Sequence, residues 1–273
     1  MRTVAIIQGR MGSSRLPGKI LLEIAGKPMI QHVIERTRLA RSLDAVIIAT
    51  TSHPSDDPVS EFCSGHGVPC SRGSVHDVLD RYYQTAKAQQ AEVVVRITAD
   101  CPLIDPAVID QTVALVNENQ SQRIDFACNR LPPPFSRSFP IGLDVEVCTF
   151  TALERAWGES SETFHREHVM PYIYQDVRLE QSPATQQIIR GDSPRGFKIA
   201  QLNHSPDYGA LRWTVDTADD LTFIREIFAR LSENAQFTWY DVLRIVQNEP
   251  ELAQINAAVH HKTMTDVDHR TPG

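Results

Sequence analysis

The residues best equipped for chemistry lie near the start of the chain. Val4-Ala5-Ile6-Ile7-Gln8 runs directly into Gly9-Arg10-Met11-Gly12-Ser13-Ser14-Arg15-Leu16-Pro17-Gly18-Lys19. The apolar, β-branched run predicts a buried strand, and the glycines and proline after it predict a loop. That loop offers three cations (Arg10, Arg15, Lys19), two hydroxyls (Ser13, Ser14) and backbone amides freed by glycine. A nest of N–H groups with fixed positive charge suits a strongly anionic group at the C-terminal end of a strand, and a polyphosphate uses all of these donors at once. Charge-assisted hydrogen bonds of this kind contribute roughly 1.5–3 kcal/mol each. The bland alternative is a basic turn solvated at the surface.

Two aspartates also follow apolar segments: Asp100 in Thr98-Ala99-Asp100-Cys101-Pro102-Leu103, and Asp216 in Trp213-Thr214-Val215-Asp216-Thr217. Ligands of open α/β sheets gather at the C-terminal ends of strands, where the basic loop also lies. Two carboxylates meeting a polyphosphate make a simple Mg²⁺ site, because that ion prefers oxygen, keeps several waters and is held by few carboxylates plus phosphate oxygens. Taken singly, Asp100 could cap a turn before Pro102 and Asp216 could merely begin a helix. Together with the loop, they favour the metal reading. Arg72-Gly73-Ser74 with Asp77 is a third group, able to grip a base or ribose, although Ser74 or Asp77 could equally cap the next helix. Asp144 and Glu146 share one face of a strand as a fourth group, with a solvated edge as the competing explanation.

Two familiar loops are excluded by spacing. Gly12 lies one residue too far from Gly18-Lys19 for a Walker A loop, and Ile20 stands where its hydroxyl belongs. The spacing G-x-G-x-x-G of a dinucleotide fold is absent as well. A net charge of −7, with no basic stripe beyond the first loop, disfavours a nucleic-acid partner. No apolar run reaches the length of a membrane span and the N-terminus lacks a signal-like segment, which predicts a cytosolic protein. The five cysteines form no C-x-x-C pair and read as free thiols. His165 and His168 do not complete H-E-x-x-H, so neither is read as a metal ligand.

These side chains need a frame. The 273 residues suffice for one large α/β domain, or a core with an elaborated arm. Strands are predicted at Ala45–Thr50 and Val93–Ile97. Helices are predicted from Pro28, around Val59 and Phe62, from Val78 to Ala88, and after Asp105-Pro106 with Asp105 as N-cap. Continuous apolar strands between amphipathic helices imply a mostly parallel sheet covered on both faces. Leu131-Pro132-Pro133-Pro134 is a stiff connection, and Leu143–Val147 alternates as a one-faced strand. Residues 180–196 are polar and read as an exposed excursion. Regular structure returns at Arg212–Thr217. Thr217-x-x-Asp220 reads as a capping box before a helix bearing Leu221, Ile224 and Phe228. A last helix covers about Tyr240–Gln247, and the end from about His260 reads as a disordered tail after a single domain at 1–259.

The loop Arg10–Lys19 closely resembles that of the sugar-acid cytidylyltransferases, which make CMP-activated 3-deoxy-manno-octulosonate and sialic-type acids. Arg72-Gly73-Ser74, Arg96–Asp105, Gly142-Leu143-Asp144-Val145-Glu146, Arg166-Glu167-His168-Val169 and Arg212–Thr217, in that order, are similar to the spore-coat polysaccharide branch. Val75-His76 and Ile141 depart from its pattern. The resemblance implies a GT-A-type nucleotide-binding fold, CTP as donor, an acidic sugar as acceptor and Mg²⁺ as cofactor. It also implies a homodimer joined by an arm at about 130–200. Carried over by motif, Arg10, Ser13, Arg15 and Lys19 hold the triphosphate, with Gln8, Gly12, Ser14 and Thr98 beside the nucleotide. Asp100 and Asp216 hold the metal; Arg15 and Lys19 stabilise charge in the reaction. Arg72, Gly73, Ser74 and Asp77 meet base or ribose, and Asp144, Glu146, His168 and Arg212 are the acceptor candidates. Two rivals remain: a glycosyltransferase using Asp144-Val145-Glu146 as a D-x-D-like metal motif, and a non-catalytic nucleotide-binding subunit.

Overall fold

A strand with a continuous apolar run can serve two cores, because successive side chains leave opposite faces. Strand β1 (Thr3–Gln8) does so: Ala5 and Ile7 enter one core while Val4 and Ile6 enter the other. The computed structural model describes residues 1–117, 123–133, 135, 137–180, 187–231 and 236–260. After a small hairpin of β2 (Glu23–Ile24) and β3 (Lys27–Pro28), strands β4 (Ala45–Thr51), β5 (Cys70–Gly73) and β6 (Val93–Thr98) follow. β4 and β6 flank β1 and β5 lies outside β4, all in parallel, so their C-terminal ends share one edge.

Beyond β6 the direction alternates. β8 (Glu146–Thr149) runs antiparallel to both β6 and β7 (Phe126–Cys128). β9 (Arg178–Leu179), β10 (Ile188–Asp192) and β11 (Lys198–Leu202) complete the order β5-β4-β1-β6-β8-β7-β11-β10-β9, with β11 parallel to β7. The result is a mixed sheet in which the half formed by β5-β4-β1-β6 is wholly parallel. Helices α1 (Met29–Thr37), α2 (Asp57–Gly65) and α4 (Pro106–Asn117) pack on one face. Helices α3 (Val78–Ala88), α5 (Phe150–Glu159) and α7 (Pro171–Tyr174) pack on the other, where α6 (Thr163–His168) adjoins α3. The C-terminal α8 (Ala218–Arg230) and α9 (Trp239–Asn248) join the first face.

The caps follow the sequence closely. Asp105 Oδ1 accepts from the Ala107 and Val108 N–H groups, and its Oδ2 takes the Trp239 N–H at 2.7 Å, tying α4 to α9. Thr217 and Asp220 form the expected capping box. All five cysteines carry free thiols.

Three expectations need correction. The polar stretch 180–196 contains β10, whose backbone pairs with β11 from Ile188 to Asp192; main-chain bonding at a sheet edge overrides side-chain polarity. Residues 181–186 of it lie outside the described residues, as does the tail 261–273. Segment 212–217 forms one parallel bridge, Ile141 with Arg212, rather than a strand. It instead crosses Gly142, where a Cβ would stand 2.6 Å from the Trp213 carbonyl carbon and φ is +106°. Finally, the ladder of 143–147 starts only at Glu146, because buried Asn129 occupies the preceding backbone: its side chain donates to Leu143 O and accepts from the Val145 N–H.

Candidate active site

The basic loop is tethered at both ends. Gly18, at φ +70°, donates to Met11 O, closing the loop on itself and turning Lys19 inward. Asp56, 2% exposed before α2, accepts from the Met11 N–H at 2.6 Å and from the Thr51 hydroxyl. The loop is thereby hung between the end of β4 and the start of α2, beside the end of β1. Gly9 passes so close to the segment after β6 that a Cβ there would sit 2.9 Å from Ala99 Cβ.

From that loop Lys19 reaches the two aspartates at once. Its Nζ lies 2.7 Å from Asp100 Oδ2, 2.9 Å from Asp216 Oδ1 and 2.7 Å from Val215 O. Arg15 meets Asp216 Oδ2 at 3.0 Å and also approaches His260 O at 3.4 Å. Arg212 reaches the same Asp216 oxygen at 2.8 Å and forks onto Asp220, whose carboxylate also takes Asn256. Burial alone would raise the Asp216 pKa, but Lys19, Arg15 and Arg212 together hold it well below the usual carboxylate range. Burial likewise pulls the Lys19 ammonium down, and Asp100 with Asp216 outweighs it, leaving the pKa raised. The charged forms are therefore the resident ones.

Above this network opens a cavity of about 360 Å³. Of the residues picked out by sequence, Gln8, Arg10, Gly12, Ser13, Ser14 and Thr98 line it. So do Arg15, Lys19, Asp100 and Asp216 at its charged floor, and Asp144 and Glu146 on the far wall. Six others are not in the wall. Arg72 donates to Thr51 O and His53 O and pairs with Asp57 at 2.7 Å, stitching β5 to the end of β4. Gly73 pairs with Thr51 across the same strands. The Ser74 hydroxyl accepts from the His76 and Asp77 N–H groups, while Asp77 caps α3 and binds Arg166. This group occupies the same sheet edge, with β4 between it and β1. Arg212, at 9% exposure, stands behind Asp216 and does not line the cavity. His168, at the end of α6, has its pKa lowered by burial first and then by nearby Arg96.

The far wall holds what sequence reasoning missed. Arg96 pairs with Glu146 and approaches Gln8, Asp144 pairs with Arg137 at 2.8 Å, and Asn129 and Arg130 complete the surface. A cation within the apolar run Val93–Ile97 was a usable signal for Arg96. Nothing local marks Asn129 or Arg130.

The donor set suits a hard divalent ion. Two carboxylates converge on a single ammonium nitrogen, so the fold already selects for positive charge at one point. Among the described residues no group of three or more His, Cys, Asp or Glu side chains is placed to hold a metal. An ion between Asp100 and Asp216 would therefore complete its shell with water and substrate oxygens, as Mg²⁺ commonly does. No helix among the described residues is long and apolar enough to cross a membrane.

Comparisons with known proteins agree with this geometry. A family model described as cytidylyltransferase matches residues 4–212. A 3-deoxy-manno-octulosonate cytidylyltransferase of Solibacter usitatus is 42% identical over 246 residues, covering 83% of this chain and 94% of that protein. A spore coat polysaccharide biosynthesis protein of Bacillus subtilis is 26% identical over 253 residues, covering 91% and 95%. A cytidylyltransferase structure from Leptospira borgpetersenii serovar Hardjo-bovis superposes with a TM-score of 0.81 at 30% identity, over 96% of this chain and all of that one. With a basic loop bonded directly to two aspartates at the floor of one cavity, and a family model matching residues 4–212, the chain belongs to the cytidylyltransferase family of enzymes.

Proposed function

We propose that this enzyme transfers CMP from CTP to the anomeric hydroxyl of an acidic sugar, a nonulosonic or 3-deoxy sugar acid, and releases pyrophosphate. The observation that carries this reading is the meeting of Arg15 and Lys19 with Asp100 and Asp216 at the floor of one cavity. The relatives named for 3-deoxy-manno-octulosonate and for spore coat polysaccharide support the choice of acceptor class and a role in surface polysaccharide synthesis.

In this mechanism the sugar hydroxyl attacks the α-phosphorus of CTP, and the bond from that phosphorus to the bridging oxygen of pyrophosphate breaks. Such a reaction depends on alignment and charge stabilisation. Arg10, Ser13 and the glycine-freed amides of the loop hold the triphosphate. Lys19 and Arg15 stabilise charge on it and on the departing pyrophosphate. Asp100 and Asp216 hold Mg²⁺, which supplies Lewis acidity and a template when bound. Arg212 fixes the position of Asp216 through the Asp220 fork. The Arg72–Asp77 segment meets base or ribose from the neighbouring strand end. The chain acts as one catalytic unit over 1–259, paired as a homodimer through an arm at about 130–200.

The glycosyltransferase alternative needs Asp144-Val145-Glu146 as metal ligands. Both carboxylates face an arginine, Arg137 and Arg96 respectively, which counts against it. The test is incubation of the purified protein with CTP, Mg²⁺ and a panel of sugar acids while pyrophosphate is followed. The reading requires pyrophosphate release that depends on the acceptor. Release of free nucleoside diphosphate from a nucleotide-sugar would support the rival, and tight CTP binding without turnover of any acceptor would indicate a non-catalytic subunit.

A further inference from the structure

The cavity has two ends of different electrical character. At the floor, Lys19 and Arg15 are bonded to Asp100 and Asp216. On the far wall, the two acids are neutralised one by one, Glu146 by Arg96 and Asp144 by Arg137. Arg130 lines the same wall, yet it makes no side-chain hydrogen bond or ion pair among the described residues. Its charge is nonetheless felt nearby, on the His168 imidazole and the Tyr174 hydroxyl.

Arg130 is also held where it is. The residue before it, Asn129, is fully buried and bonded on both sides to the 143–145 backbone. The residue after it, Leu131, is 2% exposed and leads into Pro132-Pro133. The backbone is thus clamped on both flanks while the guanidinium remains available. An arginine is suited to bidentate recognition of a carboxylate. A sugar acid entering this wall would meet Asp144 and Glu146, already paired, and one guanidinium with its donors unused.

We infer that Arg130 binds the carboxylate of the acceptor and thereby makes the enzyme selective for acidic over neutral sugars. Asp144 and Glu146, held by their arginines, then accept from acceptor hydroxyls. The inference rests on the proposed reaction, and the test separates the two.

The experiment measures pyrophosphate release by the parent, Arg130→Met and Arg130→Lys, with CTP and either 3-deoxy-manno-octulosonate or N-acetylneuraminate, plus the methyl ester of whichever acid turns over. For Arg130→Met the acceptor KM should rise roughly ten- to a hundredfold, the loss of one charge-assisted contact pair, while the KM for CTP stays within about twofold. Arg130→Lys should fall between. The methyl ester should be a poor acceptor for the parent, and Arg130→Met should penalise it little further. Where the parent turns over, an unchanged acceptor KM in Arg130→Met overturns the role of Arg130 alone, as does a rise confined to CTP. Absence of turnover by the parent with either acid overturns the acceptor class and this role with it.

Discussion

The floor and the far wall of the cavity are built from similar side chains, yet they behave differently. At the floor, Lys19 is shared between two carboxylates and Asp216 between three cations, so the two central charges each have several partners. On the wall each acid has one arginine. A shared network can exchange partners when an anion and a metal arrive, because Asp216 keeps Arg15 and Arg212 when Lys19 turns away. A closed pair has nothing to exchange, so it shapes the site and leaves recognition to an unpaired neighbour. The first arrangement suits chemistry on phosphates, the second suits selection of an acceptor.

That contrast can be broken in stages. Asp100→Asn should lower kcat most, by about a thousandfold, since it removes a proposed ligand of the ion and a partner of Lys19. Steady-state pyrophosphate release reads this, and turnover equal to the parent would remove the metal assignment. Glu146→Gln should act on stability: it leaves half-buried Arg96 without its counter-charge, at a cost of about 2 kcal/mol. Urea unfolding would show the drop, and an unchanged midpoint would mean that the wall pair is not closed. Asp56→Ala removes the acceptor for the Met11 N–H and should loosen the loop, raising the KM for CTP by about tenfold with the acceptor KM little changed.

The smallest effect is on pH. Asp216 has a lowered folded pKa, so its contribution to stability is present above its unfolded value of 3.8 and fades as pH falls through the folded one. Lys19 has a raised folded pKa, so its contribution is present below 10.5 and fades as pH rises through the folded value. The difference in stability between the parent and Asp216→Asn should therefore be flat from about pH 5 to 9 and narrow in acid. A difference that changes near neutrality would show that another group controls the network.

The same contrast explains what could be read from sequence. The floor was legible because its parts are consecutive: a strand, a glycine loop and its cations within Val4–Lys19, and each aspartate directly after its apolar run. The caps at Asp105 and Thr217–Asp220 were legible for the same reason, since a cap is a bond between near neighbours. The wall was not. Asn129 meets Leu143 and Val145, 14 and 16 residues onward, and Arg130 matters only because those bonds fix its backbone. The contacts of Arg212 with Asp220, and of Asn256 with both, are likewise visible only in the fold. Strand β10 was hidden by polar side chains whose backbone pairs at a sheet edge.

In the proposed mechanism Lys19 occupies the point between Asp100 and Asp216 that a divalent ion would take. Titrating Mn²⁺ into the parent and Lys19→Met without nucleotide, by electron paramagnetic resonance of the free ion, tests it directly. The account predicts tighter Mn²⁺ binding to Lys19→Met than to the parent, together with weaker binding of CTP. Equal Mn²⁺ affinity in the two proteins would contradict it.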